Sequence, residues 1–251
     1  MRFLVQKINN KVVHDFSFTL ERAKEYYDWR GDEKLSIRYL NDPGLLGTTV
    51  RQPDNYIPVG SVDFVSAYLR QFYPMHYLGL RPLNVPECLF PYADRKIVNC
   101  NSIQDLDSLG PCSYFVKSNA RIKHPENGYA PVEADISSFI GRQVSEVIPI
   151  DSEWRVFVFH GEIRHMANYS GDCMLFPDAD SVRQMVRTYG GHAPVAYTLD
   201  VGVCEGDNPR KRNKTFVIEC HRFFSCGLYG FSDLAVIPKM LSQAWFEIKR
   251  L

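Results

Sequence analysis

Apolar positions recur along this chain in two rhythms, one helical and one alternating. Near the start, Phe3-Leu4-Val5 is a short apolar run that predicts a strand, and Thr19 to Trp29 follows as a charged, aromatic-bearing helix. Ser61 stands just before Val62, Val65, Leu69 and Phe72, whose spacing marks one helix face, so Ser61 reads as an N-cap. From Pro74 to Pro91 the chain is rich in Pro and Gly, which predicts a linker or lobe boundary.

Beyond that stretch the pattern is more strand-like. Tyr114-Phe115-Val116-Lys117 and Glu146 to Ile150 read as short strands. Trp154 to His160 alternates tightly, turns at His160-Gly161 and returns through Glu162 to Met166, which predicts a hairpin. Asp178 to Tyr189 reads as a helix stopped by Gly190-Gly191. A second long hairpin follows, Val195 to Val203 going out and Thr215 to Phe223 coming back, joined by a polar, basic loop. Ser232 to Lys249 reads as helix that Pro238 interrupts or restarts. Strands and helices alternate irregularly, with hairpins, so the expected class is α+β rather than a doubly wound parallel sheet. No internal repeat is visible, which excludes a solenoid.

Composition narrows the function classes. The 251 residues are 45% hydrophobic and 23% charged, enough for one large domain or two to three small lobes around a cleft. Lys plus Arg equals Asp plus Glu at 29 each, so no global field favours nucleic acid or an anionic membrane, and any polyanion must be held locally. No run reaches the length of a membrane span, and the opening MRFLVQKINN lacks the long apolar region of a secretory signal. The seven cysteines are scattered and form no C-x-x-C pair, which predicts reduced thiols in a soluble, cytoplasmic protein.

Candidate chemistry concentrates in the second long hairpin. Asp200 lies near the end of one strand, and Glu219 and His221 sit two apart on the strand that returns, so they share a face. If Asp200 faces them, three polar groups converge within the apolar runs AYTLDVGV and TFVIECHRF. Carboxylates in such surroundings need a partner, either a hard cation such as Mg²⁺ bridging nucleotide phosphates or a nearby arginine. Lys117 ends the strand YFVK, where its ammonium would emerge into a cleft as a point charge suited to phosphate. Lys96, in RKIV, is a possible partner, and Lys123 follows at close range; each alone is more often a solvated surface lysine. Arg155, inside WRVFVF, is expected to face a cleft or a carboxylate.

Taken in order, the segments YFVK, SEVIPI, EWRVFVFHGEI, YTLDVGV and FVIECHRFFSCGLYG resemble the ATP-grasp superfamily, particularly its ribosomal-protein-glutamate-ligase-like and phage-type branches. The likeness runs from about Lys96 to Tyr229. It implies an ATP-grasp fold, with a small N-terminal lobe over 1–90 and a two-lobed catalytic region over 91–251. It further implies that Lys96 and Lys117 meet the α- and β-phosphates of ATP, beside a phosphate-covering loop from Lys123 to Tyr129 that holds one glycine, Gly128. Glu146 and the backbone of Val147 and Ile148 would meet the adenine edge, with Glu153 near the ribose. Arg155 would stabilise the transferring phosphoryl group, and Asp200 with Glu219 would hold Mg²⁺. His221 stands where the family commonly has Asn, and an imidazole can also ligate a metal. The implied activity is ATP-dependent joining of a carboxylate to an amine through an acyl-phosphate, on small-molecule or peptide substrates.

Other readings stay open at this level. One is an ATP-binding sensor or scaffold without turnover. Another is nucleic-acid binding through the basic loop Arg210-Lys211-Arg212-Asn213-Lys214, which is an addition to the family pattern. A zinc site from Cys204, Cys220, His221 and Cys226, or a Cys226 nucleophile with His221 as base, has only proximity in sequence behind it. Tyr169 to Asp172 and Ser225 to Tyr229 are the candidate walls of an acceptor pocket.

Overall fold

The computed structural model describes the chain apart from residues 32, 111, 121, 123–126, 132–134 and 206–212. Its elements in order are β1 (Arg2–Gln6), α1 (Asp15–Arg30), β2 (Ser36–Leu40), the short α2 (Leu46–Thr49), β3 (Ile57–Val59), α3 (Val62–Phe72), β4 (Ile97–Cys100) and β5 (Tyr114–Ser118). Then come β6 (Gly128–Ala130), β7 (Arg142–Glu146), β8 (Ser152–Phe159), β9 (Glu162–Gly171), α4 (Ala179–Tyr189), β10 (Ala196–Cys204), β11 (Lys214–Arg222) and α5 (Ile237–Ile248). The strands form three sheets, ordered β2-β1-β3, β11-β10-β8-β9 and β4-β7-β5-β6. The α+β expectation holds.

One compact unit comprises Met1–Leu80, Pro194–Ala196 and Arg222–Leu251. Its central strand β1 pairs in parallel with β2 and β3, and Phe3, Leu4 and Val5 are fully buried. A parallel strand covered on both faces reads as a continuous apolar run, which is why three consecutive large apolar residues stand here. On α1, Phe16, Leu20, Ala23 and Tyr27 form a buried stripe at helical spacing, and Gly31, at φ 69°, ends the helix by donating its N–H to the Tyr27 carbonyl. Ser61 caps α3 as expected, its Oγ accepting from the Phe64 amide at 3.1 Å. Pro238 lies in the first turn of α5, where a missing N–H breaks no helical bond, so it starts the helix and does not interrupt one. The apolar face of α5, including Met240, Leu241 and Trp245, is buried against α1 and β3. The C-terminal segment therefore joins this unit, although chain order had grouped it with 91–251. Nothing local in a sequence signals such a long-range return.

The other unit comprises Arg81–Ala193 and Tyr197–His221. The stretch expected as a linker contains two 3₁₀ turns, Pro74–Leu80 and Glu87–Tyr92, with Leu89 fully buried, and the boundary between units falls inside it. Trp154, Val156 and Val158 of β8 pack with Leu199, Val201 and Val203 of β10 and with Val182, Met185 and Val186 of α4. With side chains alternating along a strand, this apolar face leaves Glu153 and Arg155 of β8, and Asp200 of β10, on the other side. The sheet β4-β7-β5-β6 is antiparallel and closes its own core around Leu106, Tyr114, Val116, Phe139 and Val144. The strand expected over Glu146 to Ile150 lies earlier, over Arg142–Glu146. Its last ladder-like bond runs from the Val147 amide to the Ser113 carbonyl at 3.2 Å. The next donor in that alternation is Pro149, which has no N–H, so pairing ends there.

Candidate functional site

β10 lies between β8 and β11, so polar residues on the face turned away from α4 meet partners from both sides. Arg155 donates from Nε to Asp200 Oδ1 at 2.8 Å and from Nη2 to Asp200 Oδ2 at 2.7 Å. The two side chains are 8% and 1% exposed, so this is a buried, two-pronged ion pair in which each charge depends on the other. From the other sheet, Lys117 of β5 reaches Glu219 Oε2 at 2.5 Å. His221 Nε2 stands 3.0 Å from Glu219 Oε1 and 3.7 Å from Asp200 Oδ2. One ligand atom from each of Asp200, Glu219 and His221 lies within 4.8 Å of the others, a donor set that fits a divalent cation. Burial alone would raise the Glu219 carboxyl pKa, but the Lys117 ammonium and His221 outweigh it and hold the group well below the usual carboxylate range.

A cavity of about 300 Å³ opens between the two four-stranded sheets. Phe115, Lys117, Gln143 and Ser145 line one wall, and Glu153, Tyr169, Ile218 and Glu219 line the other. Tyr169 enters through an irregularity: Glu153 pairs with Ser170 and Trp154 with Asn168, which leaves Tyr169 as the extra residue of a bulge. Its hydroxyl donates to Glu153 Oε2 at 2.7 Å, and the Arg155 guanidinium lies 5.5 Å from its ring centroid. Burial first, and the nearby Asp200 next, push the Tyr169 hydroxyl far above its ordinary pKa, so it is a neutral donor.

Two features of this cavity had no sequence signal. Arg95 lines it, donating to the carbonyls of Ala93 at 3.1 Å, Val217 at 2.9 Å and Ile218 at 3.2 Å. Burial brings its pKa down to about 10 while the charge of Glu219 works against that, so it stays a cation at neutral pH. Asn84, buried and at φ 49°, accepts the Cys220 amide at 2.7 Å and donates to the Ser118 carbonyl at 3.1 Å and Asn119 Oδ1 at 2.8 Å. Its neighbour Val85 exchanges two 2.9 Å bonds with the Gln143 side-chain amide. This segment thus ties β11 to β5 and β7, next to Glu219 and Lys117. Asn is among the few side chains that tolerate left-handed backbone.

The ATP-grasp domain family, R2K clade family 2, matches residues 92–238, more than half of the chain. The protein belongs to the ATP-grasp family. Among solved structures, D-alanine–D-alanine ligase from Bacillus anthracis is similar at 13% identity, with 100% of this chain and 99% of that chain covered and a TM-score of 0.52. The macrocyclase MdnC from Microcystis aeruginosa MRC, bound with precursor peptide MdnA, is similar at 10% identity, with 96% and 100% covered and a TM-score of 0.50. The ATP-grasp ligase PsnB, complexed with a minimal precursor, gives 12% identity, 97% and 99% covered and a TM-score of 0.50. At these identities the likeness is one of fold. No curated protein matches the sequence.

Within this ATP-grasp domain, Lys117, Glu146, Val147, Ile148, Glu153 and Glu219 line the cavity, while Asp200, Arg155 and His221 connect to that lining through the pairs above. Lys96 is exposed and does not line the cavity; its amide donates to Glu146 Oε2 at 2.8 Å and its carbonyl accepts from the Glu146 amide at 3.1 Å. Lys123 and Arg210 to Arg212 lie outside the described residues, and Lys214 is exposed and pairs with Asp94 at 3.1 Å. Both sequence readings of Asp200 meet in one place, since it pairs with Arg155 and also belongs to a possible metal-ligand set. The four-residue zinc set does not assemble among the described residues. None of the seven cysteines forms a disulfide, Cys220 is buried in the apolar core and Cys204 Sγ donates to the Pro149 carbonyl at 2.8 Å. Ser225 Oγ donates to the Gly60 carbonyl at 2.9 Å and the Leu228 amide to Asp15 Oδ2 at 2.6 Å, both within the first unit. No described helix is long and apolar enough to cross a membrane.

Removing one member of the buried pair strands the other. Asp200→Asn is expected to destabilise the protein by about 3 kcal/mol in chemical denaturation, and the double change Arg155→Met with Asp200→Leu to recover most of that loss. Equal stability of Asp200→Asn and the wild type would contradict the pairing. For Glu219 the folded pKa lies below its unfolded value, so its stabilisation is complete above about 4.5 and is lost as pH falls through the lower folded value. The stability difference between metal-free wild type and Glu219→Gln should therefore shrink steadily below pH ~4.5 and stay level just above it. A difference that does not change with pH would contradict the shift.

Proposed function

We propose that this protein is an ATP-dependent ligase that joins a carboxylate to an amine, with ATP seated in the cavity between the two sheets. The observation that carries the reading is the arrangement of that cavity: the hinge segment Glu146 to Ile148 and Glu153 lie along its walls, and paired cations and carboxylates gather around Lys117 and Glu219. Membership of the ATP-grasp family supports it. A fold neighbour, the Bacillus anthracis D-alanine–D-alanine ligase, has a structure complexed with ATP, and MdnC is bound with a peptide; amino-acid or peptide substrates are accordingly the class we favour here.

On this reading the adenine edge meets the segment Glu146 to Ile148. The amides of Glu146 and Val147 already donate to the carbonyls of Lys96 and Ser113, so the donor offered to the base is the Ile148 amide. Glu153, held by the Tyr169 hydroxyl, takes the ribose hydroxyls. Lys117 exchanges Glu219 for phosphate oxygens, and Arg95, fixed by three carbonyls, adds positive potential from the wall. Lys96 acts by turning its exposed side chain toward the phosphates or by holding Glu146 through its backbone. Arg155 stabilises the charge that develops as a phosphoryl group passes to the carboxylate, and the amine then displaces phosphate from the acyl-phosphate. Asp200, Glu219 and His221 would hold a divalent ion, Mg²⁺ in the family pattern, which when bound neutralises phosphate charge as a Lewis acid. No side chain need act as a nucleophile, so positioning and charge supply most of the rate. Action in the cytoplasm fits seven cysteines that form no disulfide.

The test is a titration with ATP and Mg²⁺ read by calorimetry and thermal shift, followed by ADP release with carboxylate and amine pairs. ATP at a hundred times its Kd should stabilise the wild type by about 2.7 kcal/mol. Lys117→Ala should weaken ATP binding at least about tenfold, and Glu219→Ala should abolish ADP release. No stabilisation at millimolar ATP would overturn the proposal. Tight binding with no ADP release under any acceptor would instead make the protein a nucleotide sensor.

A further inference from the structure

We infer that His221 makes the divalent-cation site of this chain select Mn²⁺ over Mg²⁺. The inference rests on the ligase reading only for the expectation that a cation binds here; the preference itself follows from the donor atoms and their existing partners.

The geometry is that of ligands gathered around an ion. Two ligand atoms each about 2.1 Å from one cation, and about 90° apart, are separated by about 3.0 Å, and wider angles take the separation toward 4.2 Å. His221 Nε2 lies 3.0 Å from Glu219 Oε1 and 3.7 Å from Asp200 Oδ2, both inside that range. The imidazole is 31% exposed, so its nitrogen stands at the wet side of the cluster and is not sealed in the core. It shares a strand face with Glu219, and the intervening Cys220 points into the apolar core.

Charge balance then decides which ion gains most. Asp200 spends both oxygens on Arg155, and Glu219 spends Oε2 on Lys117. The two negative charges face Arg155 and Lys117, and Arg95 on the cavity wall also acts on Glu219, so the cluster has little net field with which to strip water from a hard ion. Mg²⁺ depends on that field: it dehydrates reluctantly and is held through oxygen charge. Among the described residues, His221 Nε2 and Glu219 Oε1 pair with each other at 3.0 Å and not with a lysine or arginine, so an ion that takes both replaces only that contact. An imidazole nitrogen adds more to the binding of a first-row transition ion than to that of Mg²⁺. Among those ions, Mn²⁺ suits a set that remains rich in carboxylate oxygen. A site for Zn²⁺ would be favoured by thiolate, and among the described residues no cysteine belongs to this cluster.

The experiment measures Mn²⁺ binding to the nucleotide-free, full-length protein by the loss of the free-ion paramagnetic resonance signal, with Mg²⁺ as competitor. Wild type should bind Mn²⁺ at least about tenfold more tightly than Mg²⁺. In His221→Asn that ratio should fall to near one, through weaker Mn²⁺ binding with Mg²⁺ affinity unchanged. His221→Gln, with a longer amide, should behave in the same way. A wild-type ratio near one overturns the inference without recourse to any variant, as does a ratio that survives both substitutions. Calorimetry with ATP on the same samples separates the two claims. ATP binding with equal Mn²⁺ and Mg²⁺ affinity overturns the ion preference and leaves the ligase reading standing. A strong Mn²⁺ preference with no ATP binding supports the preference and removes the ligase reading.

Discussion

A guanidinium and a carboxylate buried on neighbouring strands constrain everything around them. Arg155 and Asp200 are both almost fully shielded from water, and each is tolerable there only because the other is held against it by two hydrogen bonds. That pair places a buried charge on one face of the sheet β11-β10-β8-β9 while the opposite face packs against α4. Phe157, on the same side of β8 as Arg155, is also fully buried, so charged and apolar groups share that face. The cavity lies between the two four-stranded sheets, and Lys117 and Glu219 pair along it.

The second pair, Lys117 with Glu219, joins the two sheets across that cavity. Its partners come from separate strands that share no ladder, so their spacing depends on the Asn84-Val85 segment, which bonds to β5, β7 and β11 at once. On the proposed reading such pairs would act as stand-ins, the cations for phosphate and the carboxylates for a metal, with neither left bare before binding. On the same reading, a polar, pre-arranged cleft would let a chain with no net charge hold a polyanion locally.

What the sequence made legible was what short-range periodicity encodes. Ser61 stands at a helix cap, and Glu219 and His221 share a strand face because two-residue spacing dictates it. The order of motifs was enough to suggest the family. The hinge strand was misplaced because Pro149 decides where pairing ends, a matter of hydrogen-bond parity that hydrophobicity does not report. Arg95 was passed over for its neighbour Lys96, since a strand as short as Ile97–Cys100 gives no parity from which to choose the inward residue. Tyr169 owes its place to a bulge, and the C-terminal helix to packing against residues more than two hundred positions away, as when Tyr27 bonds the Ala235 carbonyl. None of these leaves a local mark.

We propose that the cation–carboxylate pairs are exchangeable stand-ins for bound nucleotide. The most direct measurement is a crystal structure with a non-hydrolysable ATP analogue and a divalent metal. In that structure Lys117 Nζ is expected to have left Glu219 for a phosphate oxygen at about 2.8 Å, with Glu219 and Asp200 turned to the metal. An analogue bound elsewhere, or one bound in the cavity with Lys117 still on Glu219, would contradict it.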